Sequence, residues 1–172
     1  MSSLAALSLS IGILGGIATW LFLTVGGVLI WAAFIAWACF FHTGGDVNAL
    51  RATIIGNLLG AVAATVAALA ILTIPGAATL GLPLWAGIVV AITAWAICIA
   101  ANVKMFSVIP ANVYGYAATF AFLLQTPEKL SVEALTSISL NNGLIVVGLS
   151  MVIGAVLGFL SGKLGAAMTK AA

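Results

Sequence analysis

The sequence predicts an all-α fold, a polytopic transmembrane bundle of about six helices with short loops. Hydrophobic residues make up 65% of the 172 residues and charged residues only 5%, whereas a soluble domain carries roughly 25% charged residues. The mean hydropathy is +1.36. About six apolar segments, most of them near the roughly 20 residues that a spanning helix needs, use most of the chain. We therefore expect a single transmembrane domain over residues 1–172.

The first half of the chain contains three apolar segments, at residues 7–23, 28–41 and 52–71. Gly26-Gly27 separates the first two, and a polar stretch from His42 to Arg51 separates the second from the third. The N-terminal Met1-Ser2-Ser3 lacks the basic residues of a secretory signal peptide, so we expect the first segment to be retained.

The second half contains three further apolar segments, at residues 84–101, 113–124 and 140–160. Residues 73–83 hold two prolines and two glycines and are predicted to form a loop. The stretch 102–112 contains Pro110, and the most polar loop covers residues 125–137. Six spans follow from this pattern.

Basic residues predict the orientation, because Lys and Arg are retained in the cytoplasm near helix ends. With six spans, Arg51, Lys104, Lys163 and Lys170 fall on the same side as both termini, and Lys129 alone falls on the other side. Five spans would place Lys163 and Lys170 outside. We therefore expect both termini to be cytoplasmic.

Two of the apolar segments are short, and each borders a polar stretch that contains glycine or proline. Broken or re-entrant backbone is possible between Phe41 and Asp46, with Gly44 and Gly45 as helix-breaking residues, and between Phe106 and Asn112, with Pro110. Irregular backbone at membrane depth is tolerated where protein or a water-filled cavity surrounds it. The alternative is two stubby helices joined by ordinary loops.

Small-residue faces predict close helix packing. Gly154, Gly158 and Gly162 lie on one helix face, and Gly56 with Gly60 and Gly12 with Gly16 do the same on two others. These glycines serve either packing within one protomer or an oligomer contact. Gly56-Gly60-Ala64 also resembles Gly154-Gly158-Gly162, and residues 41–45 resemble 106–110, but the two similarities imply different registers and establish no repeat.

Uncharged polar residues within or beside apolar segments are the candidate pore or solute-binding residues, because such residues are costly in a membrane. They are His42, Asn57, Ser107 and Asn112. Amides and hydroxyls both donate and accept hydrogen bonds, which suits a neutral solute better than an ion. The alternative role is interhelical hydrogen bonding or capping. His42 with Asp46 is a candidate proton relay or pH-sensitive gate, or an interfacial residue.

Composition argues against several other functions. One histidine and three carboxylates leave little for acid–base catalysis, so we expect no enzyme. Two cysteines within apolar segments and no Cys/His cluster predict no metal or other cofactor. No basic patch is present to neutralise phosphates, so we expect no nucleic-acid partner.

A family resemblance rests on two runs of residues. Residues 106–115 read FSVIPANVYG and are followed by AATFA at 117–121, and an aromatic run with two glycines covers residues 40–45. In segment order, from about Ile11 to Gly162, the chain resembles the YcdZ-like family of small bacterial inner-membrane proteins, which has a domain of unknown function. The resemblance implies a bacterial inner (cytoplasmic) membrane location. Residues 41–45 and 56–60 are also loosely similar to formate/nitrite and urea channels.

The sequence therefore favours an oligomeric channel or facilitator for a small neutral or weakly acidic solute. Its partners are expected to be the lipid bilayer, further copies of the chain and the solute. The alternative is a non-transporting structural or accessory subunit that packs through its Gly-rich helices with itself or a larger membrane complex. A third possibility is a binder of lipid or another hydrophobic ligand.

Overall fold

A computed structural model describes residues 1–169, and these form helices and turns without a strand. Lys170, one of the residues used to predict the orientation, lies outside the described residues. The helices are α1 (Ser3–Val25), α2 (Ile30–His42), α3 (Val47–Thr73), α4 (Gly76–Leu80), α5 (Leu82–Ile99), α6 (Ile109–Gln125), α7 (Val132–Thr136) and α8 (Gly143–Met168). Single 3₁₀ turns cover Ala100–Asn102, Lys104–Phe106 and Pro127–Lys129.

The predicted all-α bundle is confirmed. Each of the six apolar segments corresponds to one helix of 13 or more residues, and α4 and α7, of five residues each, lie within segments predicted as loops. Within the described residues, α1, α3, α8 and the stretch from Leu82 to Asn102 are long and apolar enough to cross a membrane. Helix α2, with 13 residues, is apolar but shorter.

Two helix crossings form the centre of the bundle, α3 with α6 and α2 with α8. Backbones meet at both, because a Cβ on Gly60 would overlap the carbonyl oxygen of Asn112, and a Cβ on Gly154 would overlap that of Ala33. Gly56 and Gly158 lie in the same crossings, beside Ala111 and Phe40. These four glycines therefore serve packing within the protomer.

The other glycines of the predicted small-residue faces, Gly162, Gly12 and Gly16, contribute less to packing. A Cβ on Gly162 would lie 3.8 Å from the Phe41 ring, which is ordinary contact. Gly12 and Gly16 have open space on the side where a Cβ would project, and Gly15 between them contacts Phe34 instead. Gly12 and Gly16 therefore do not serve packing within the described protomer, and their use in an oligomer contact stays a prediction.

Helices α1 and α5 lie outside the central four, α1 against α8 and α5 against α3. Their outward faces carry exposed apolar side chains: Ile17, Trp20, Leu84, Ile92 and Trp95. A continuous apolar outer surface favours lipid over water. Together with the long apolar helices, it indicates a membrane protein.

The predicted helix-breaking residues lie between or at the start of helices. Gly44 and Gly45 adopt positive φ values of 119° and 72° in the tight turn between α2 and α3, a conformation that glycine adopts without a steric penalty. Pro110 lies in the first turn of α6, where a missing N–H costs no helical hydrogen bond. Helix α6 therefore begins before the polar residue Asn112 and not after it.

Candidate functional site

An open cavity of about 750 Å³ lies at one end of the bundle, between the α2–α3 turn, the start of α3 and the link before α6. We call it the vestibule. Its polar and charged lining residues are Thr43, Asp46, Asn48, Arg51, Lys104 and Ser107. Two cations face one carboxylate, so the vestibule attracts anions and the negative ends of polar molecules. Ser107 is thus the one predicted pore residue in the vestibule lining.

Two hydroxyl groups connect the lining of the vestibule with the buried face of α3. Asp46 accepts a hydrogen bond of 2.7 Å from the backbone N–H of Ala49 and so caps the N-terminus of α3. Thr43 Oγ1 lies 3.1 Å from Thr53 Oγ1, and Thr53 is fully buried. Asn57 follows Thr53 by one helical turn, so the two residues share one face of α3.

Asn57 differs from the two threonines because its buried side chain has no hydrogen-bond partner among the described residues. It is 1% exposed, and neither its Nδ2 nor its Oδ1 has a hydrogen-bond partner among the described residues. A buried amide without a partner costs roughly 1–3 kcal/mol relative to a satisfied one. Its donor and its acceptor are therefore both unused within the described residues.

Asn112 lies across the same crossing and is fully buried. Its Nδ2 donates to the carbonyl oxygens of Ile97 and Phe106, at 3.0 Å each, which fixes the link between α5 and α6. Its Oδ1 has no partner among residues 1–169 and points toward the backbone of Gly56, where a Cβ would lie 2.9 Å away. The α3–α6 crossing thus holds two amides with unused hydrogen-bonding capacity.

The interior of the bundle toward the opposite end is apolar. The main hydrophobic cluster there contains Phe122, Leu123, Leu135, Val146 and Val147, all buried. Met151, also in this cluster, is 1% exposed. The polar path therefore ends near Asn57 and does not continue as a polar channel through the described structure.

His42 lies apart from this path. It is exposed at the end of α2, and its Nδ1 lies 3.0 Å from Tyr114 Oη. Asp46, the proposed relay partner, instead caps α3. The structure thus brings Asn57 and Asn112 into one crossing, with Ser107 near it in the vestibule, and places His42 outside.

Sequence reasoning missed Thr43 and Thr53. Threonine in an apolar helix usually bonds its own backbone, as Thr65 does with the carbonyl oxygen of Ala61 at 2.9 Å. The spacing of Thr53 and Asn57 by one turn was the available signal. For metals, the described residues contain no group of three His, Cys, Asp or Glu side chains close enough to hold an ion.

The chain matches the family model described as "Protein of unknown function (DUF1097)" over residues 8–166. The chain belongs to this family. The expected membership of a family of unknown function is therefore confirmed, and the match includes all the residues of the α3–α6 crossing. No curated protein and no solved structure matches the chain.

Proposed function

We propose that the protein is a channel or facilitator for a small neutral or weakly acidic solute, which binds at the Asn57–Asn112 crossing. The observation that carries the proposal is the buried Asn57 side chain with two unpartnered polar atoms. Such an amide does not stabilise an apolar bundle, because an apolar residue of the same shape would fold as well or better, and a polar residue at membrane depth points to a functional role.

The chemistry of the site favours solutes that carry a donor and an acceptor side by side. Urea, simple amides and undissociated carboxylic acids fit this description. The cations Arg51 and Lys104 in the vestibule would concentrate the ionised form of a weak acid before it enters. The unused amide groups suit reversible binding of such a solute, so we propose transport.

The same proposal includes location and assembly. The YcdZ-like resemblance supports the bacterial inner membrane, and the basic residues Arg51, Lys104 and Lys163 support six spans with both termini in the cytoplasm. A homo-oligomer would cover the exposed apolar faces in part and leave each protomer its own vestibule.

Purified protein in liposomes tests the proposal. We expect flux of at least one of urea, formate, ammonia and glycerol above that of empty vesicles. Asn57→Leu should lower this flux to the empty-vesicle level while leaving the unfolding temperature unchanged or higher, because an unpartnered amide is replaced by an apolar side chain of similar size.

The matched control is Thr65→Val, on the same helix, whose hydroxyl is satisfied within α3. It should preserve flux. Absence of flux for all four solutes would count against transport, and a large loss of stability in Asn57→Leu would show that Asn57 is a structural residue.

A structural or accessory subunit is the second candidate. It is supported by an apolar groove of about 720 Å³ between α2 and α6, lined by Trp31, Ile35, Ala38, Ala117 and Ala121. A helix of a larger complex would fit such a groove. Gentle detergent extraction with mass determination distinguishes the two roles, since consistent co-purification with another complex favours the accessory one.

A further inference from the structure

The buried positions of α2 recur in α6. When the two helices are aligned from their first residues, Ile30 and Ile109, every buried residue of α2 is matched by a buried residue of α6: Ala32/Ala111, Ala33/Asn112, Ala36/Gly115, Trp37/Tyr116, Cys39/Ala118 and Phe40/Thr119. The same register pairs the buried Ser10 and Ala18 of α1 with the buried Val89 and Ile97 of α5.

Helix α3 corresponds to α8 in the same way. Gly60-Ala61-Val62 aligns with Gly154-Ala155-Val156, and this register also pairs buried residues on either side: Gly56/Ser150, Asn57/Met151, Ala64/Gly158 and Ala67/Ser161. The close backbone contacts agree independently. Gly60 meets the carbonyl oxygen of Asn112, and Gly154 meets that of Ala33, which are already equivalent residues of α6 and α2.

The two three-helix units run in opposite directions. The α2–α3 turn and the α5–α6 link meet at the vestibule, whereas the α1–α2 link lies at the other end, where a Cβ on Gly27 would be 3.0 Å from the Leu140 side chain. Equivalent links therefore lie at opposite ends. Inverted repeats of this kind place their binding sites between the units, which is where Asn57 and Asn112 lie.

The symmetry gives the place in the second unit that is equivalent to the vestibule, which we call the second mouth. The vestibule residues Ala49 and Ala52 of the first unit correspond to Gly143 and Val146 of the second, and Thr43 corresponds to Phe122. There the equivalent space is filled. Leu135 of α7 is 3% exposed and packs in one cluster with Phe122 and Val146.

We propose that the segment 126–142 is a plug that closes a second mouth of the solute path, opposite the vestibule. The first unit joins α2 to α3 by a tight turn, and only the second unit carries a long segment at the equivalent place. The plug is therefore an addition to the repeat. This inference rests on the proposed transport function for its purpose, but its geometry can be tested without transport.

Asn142 holds the plug in its closed position through side-chain hydrogen bonds. Asn142 Nδ2 donates to the carbonyl oxygens of Leu135 and Ser137, at 3.0 and 2.9 Å. Its Oδ1 accepts from the backbone N–H of Leu144 and so caps α8. The equivalent residue of the first unit is Asn48, which lines the open vestibule. The same residue type thus occupies both mouths, one open and one closed.

Thiol labelling tests the plug in the full-length chain. In a background with Cys39→Ala and Cys98→Ala, single cysteines are placed at the equivalent positions Ala52 and Val146, and a membrane-impermeant maleimide is offered from each side of the membrane. We expect Ala52→Cys to react from the vestibule side and Val146→Cys to be protected from both sides.

Asn142→Asp then releases the plug, because a carboxylate keeps the cap of α8 but cannot donate to Leu135 and Ser137. Labelling of Val146→Cys should rise by about tenfold or more, since two hydrogen bonds that hold the closed state are lost, while labelling of Ala52→Cys stays unchanged and shows that the protein remains folded. Rapid labelling of Val146→Cys without Asn142→Asp, or no change with it, would overturn the plug.

Solute flux provides the separate readout. If both proposals hold, Asn142→Asp also raises flux in liposomes. The expected labelling pattern without any flux would overturn the transport function and leave the plug standing. Flux that is unaffected by Asn142→Asp despite increased labelling would show that the solute does not pass the second mouth, and would overturn the role of the plug in transport.

Discussion

At the scale of single residues, the bundle depends on where a side chain is absent. Gly60, Gly115 and Gly154 each bring one helix backbone against another, and any Cβ there would overlap a carbonyl group. In lipid, where helices gain no hydrophobic drive toward each other, such close packing is a main source of association. The same residue type at Gly12 and Gly16 makes no such contact.

We predict that Gly60→Ala and Gly154→Ala each destabilise the protein by about 1–3 kcal/mol, the usual cost of overpacking. Gly12→Ala and Gly16→Ala should be neutral or stabilise by up to about 1 kcal/mol, because alanine favours helix. Thermal unfolding in detergent, followed by circular dichroism, compares the four. Equal effects at all four positions would contradict the two crossings.

The two buried asparagines of the α3–α6 crossing differ in how many of their polar atoms are hydrogen-bonded. The Nδ2 of Asn112 donates to two backbone carbonyls and its Oδ1 has no partner, whereas neither the Nδ2 nor the Oδ1 of Asn57 has a partner among the described residues. At the equivalent positions of the other crossing stand Ala33 and Met151, which carry no such groups. Unused hydrogen-bonding groups are therefore found at the crossing of α3 and α6 and not at the equivalent positions of the other crossing.

At the scale of elements, helix starts are satisfied by different means. Ser150 of α8 accepts from the backbone N–H of Leu29 at 2.9 Å and so supports the start of α2, which has no cap of its own. Asp46 caps α3 from its own N-cap position. Because the Asp46 carboxylate also lines the vestibule, the turn that begins α3 shapes the entrance as well.

We predict that Asp46→Ala lowers the free energy of unfolding by about 1 kcal/mol, the usual contribution of an N-cap. Asp46→Asn should retain nearly all of it, since the amide oxygen still accepts from the Ala49 N–H. Denaturant titration in detergent measures both. Equal losses for the two variants would show that the charge, and not the cap, is what stabilises this turn.

At the scale of the whole molecule, the two ends differ in charge. Arg51 and Lys104 line the vestibule, and Lys163 belongs to the same end, since the adjacent Gly162 lies near Phe41. The other end carries Glu128, Lys129 and Glu133. Lys and Arg near helix ends are retained in the cytoplasm, so the vestibule should open to the cytoplasm.

Reporter fusions test this orientation. Alkaline phosphatase fused after Lys129 should be active, because that loop is expected outside the cytoplasm, and the same enzyme fused after Lys104 or Lys163 should be inactive. A fluorescent protein that folds only in the cytoplasm should give the reverse pattern. Activity after Lys104 would place the vestibule on the outer face.

The sequence by itself determined the fold class and the six helices. An apolar chain with 5% charged residues leaves lipid as the suitable surroundings, and hydrogen bonding within each segment then requires helices. It also singled out Asn57, within an apolar segment, and Asn112, beside one, because polar residues there are costly in a membrane. These features are local, so a window of residues is enough to read them.

Only the tertiary structure decided which of these residues lie close together. The structure adds Thr53 to the candidate site and places His42 outside it. Helix rotation and crossing geometry, which contacts such as Gly60 with Asn112 set, cannot be read from a single segment. The same contacts pair Gly60 with Gly154 and Ala33 with Asn112, a register that differs from both of the sequence similarities. The structure also buries Leu135 against α6 and α8, because the burial of a loop residue depends on the helices it meets.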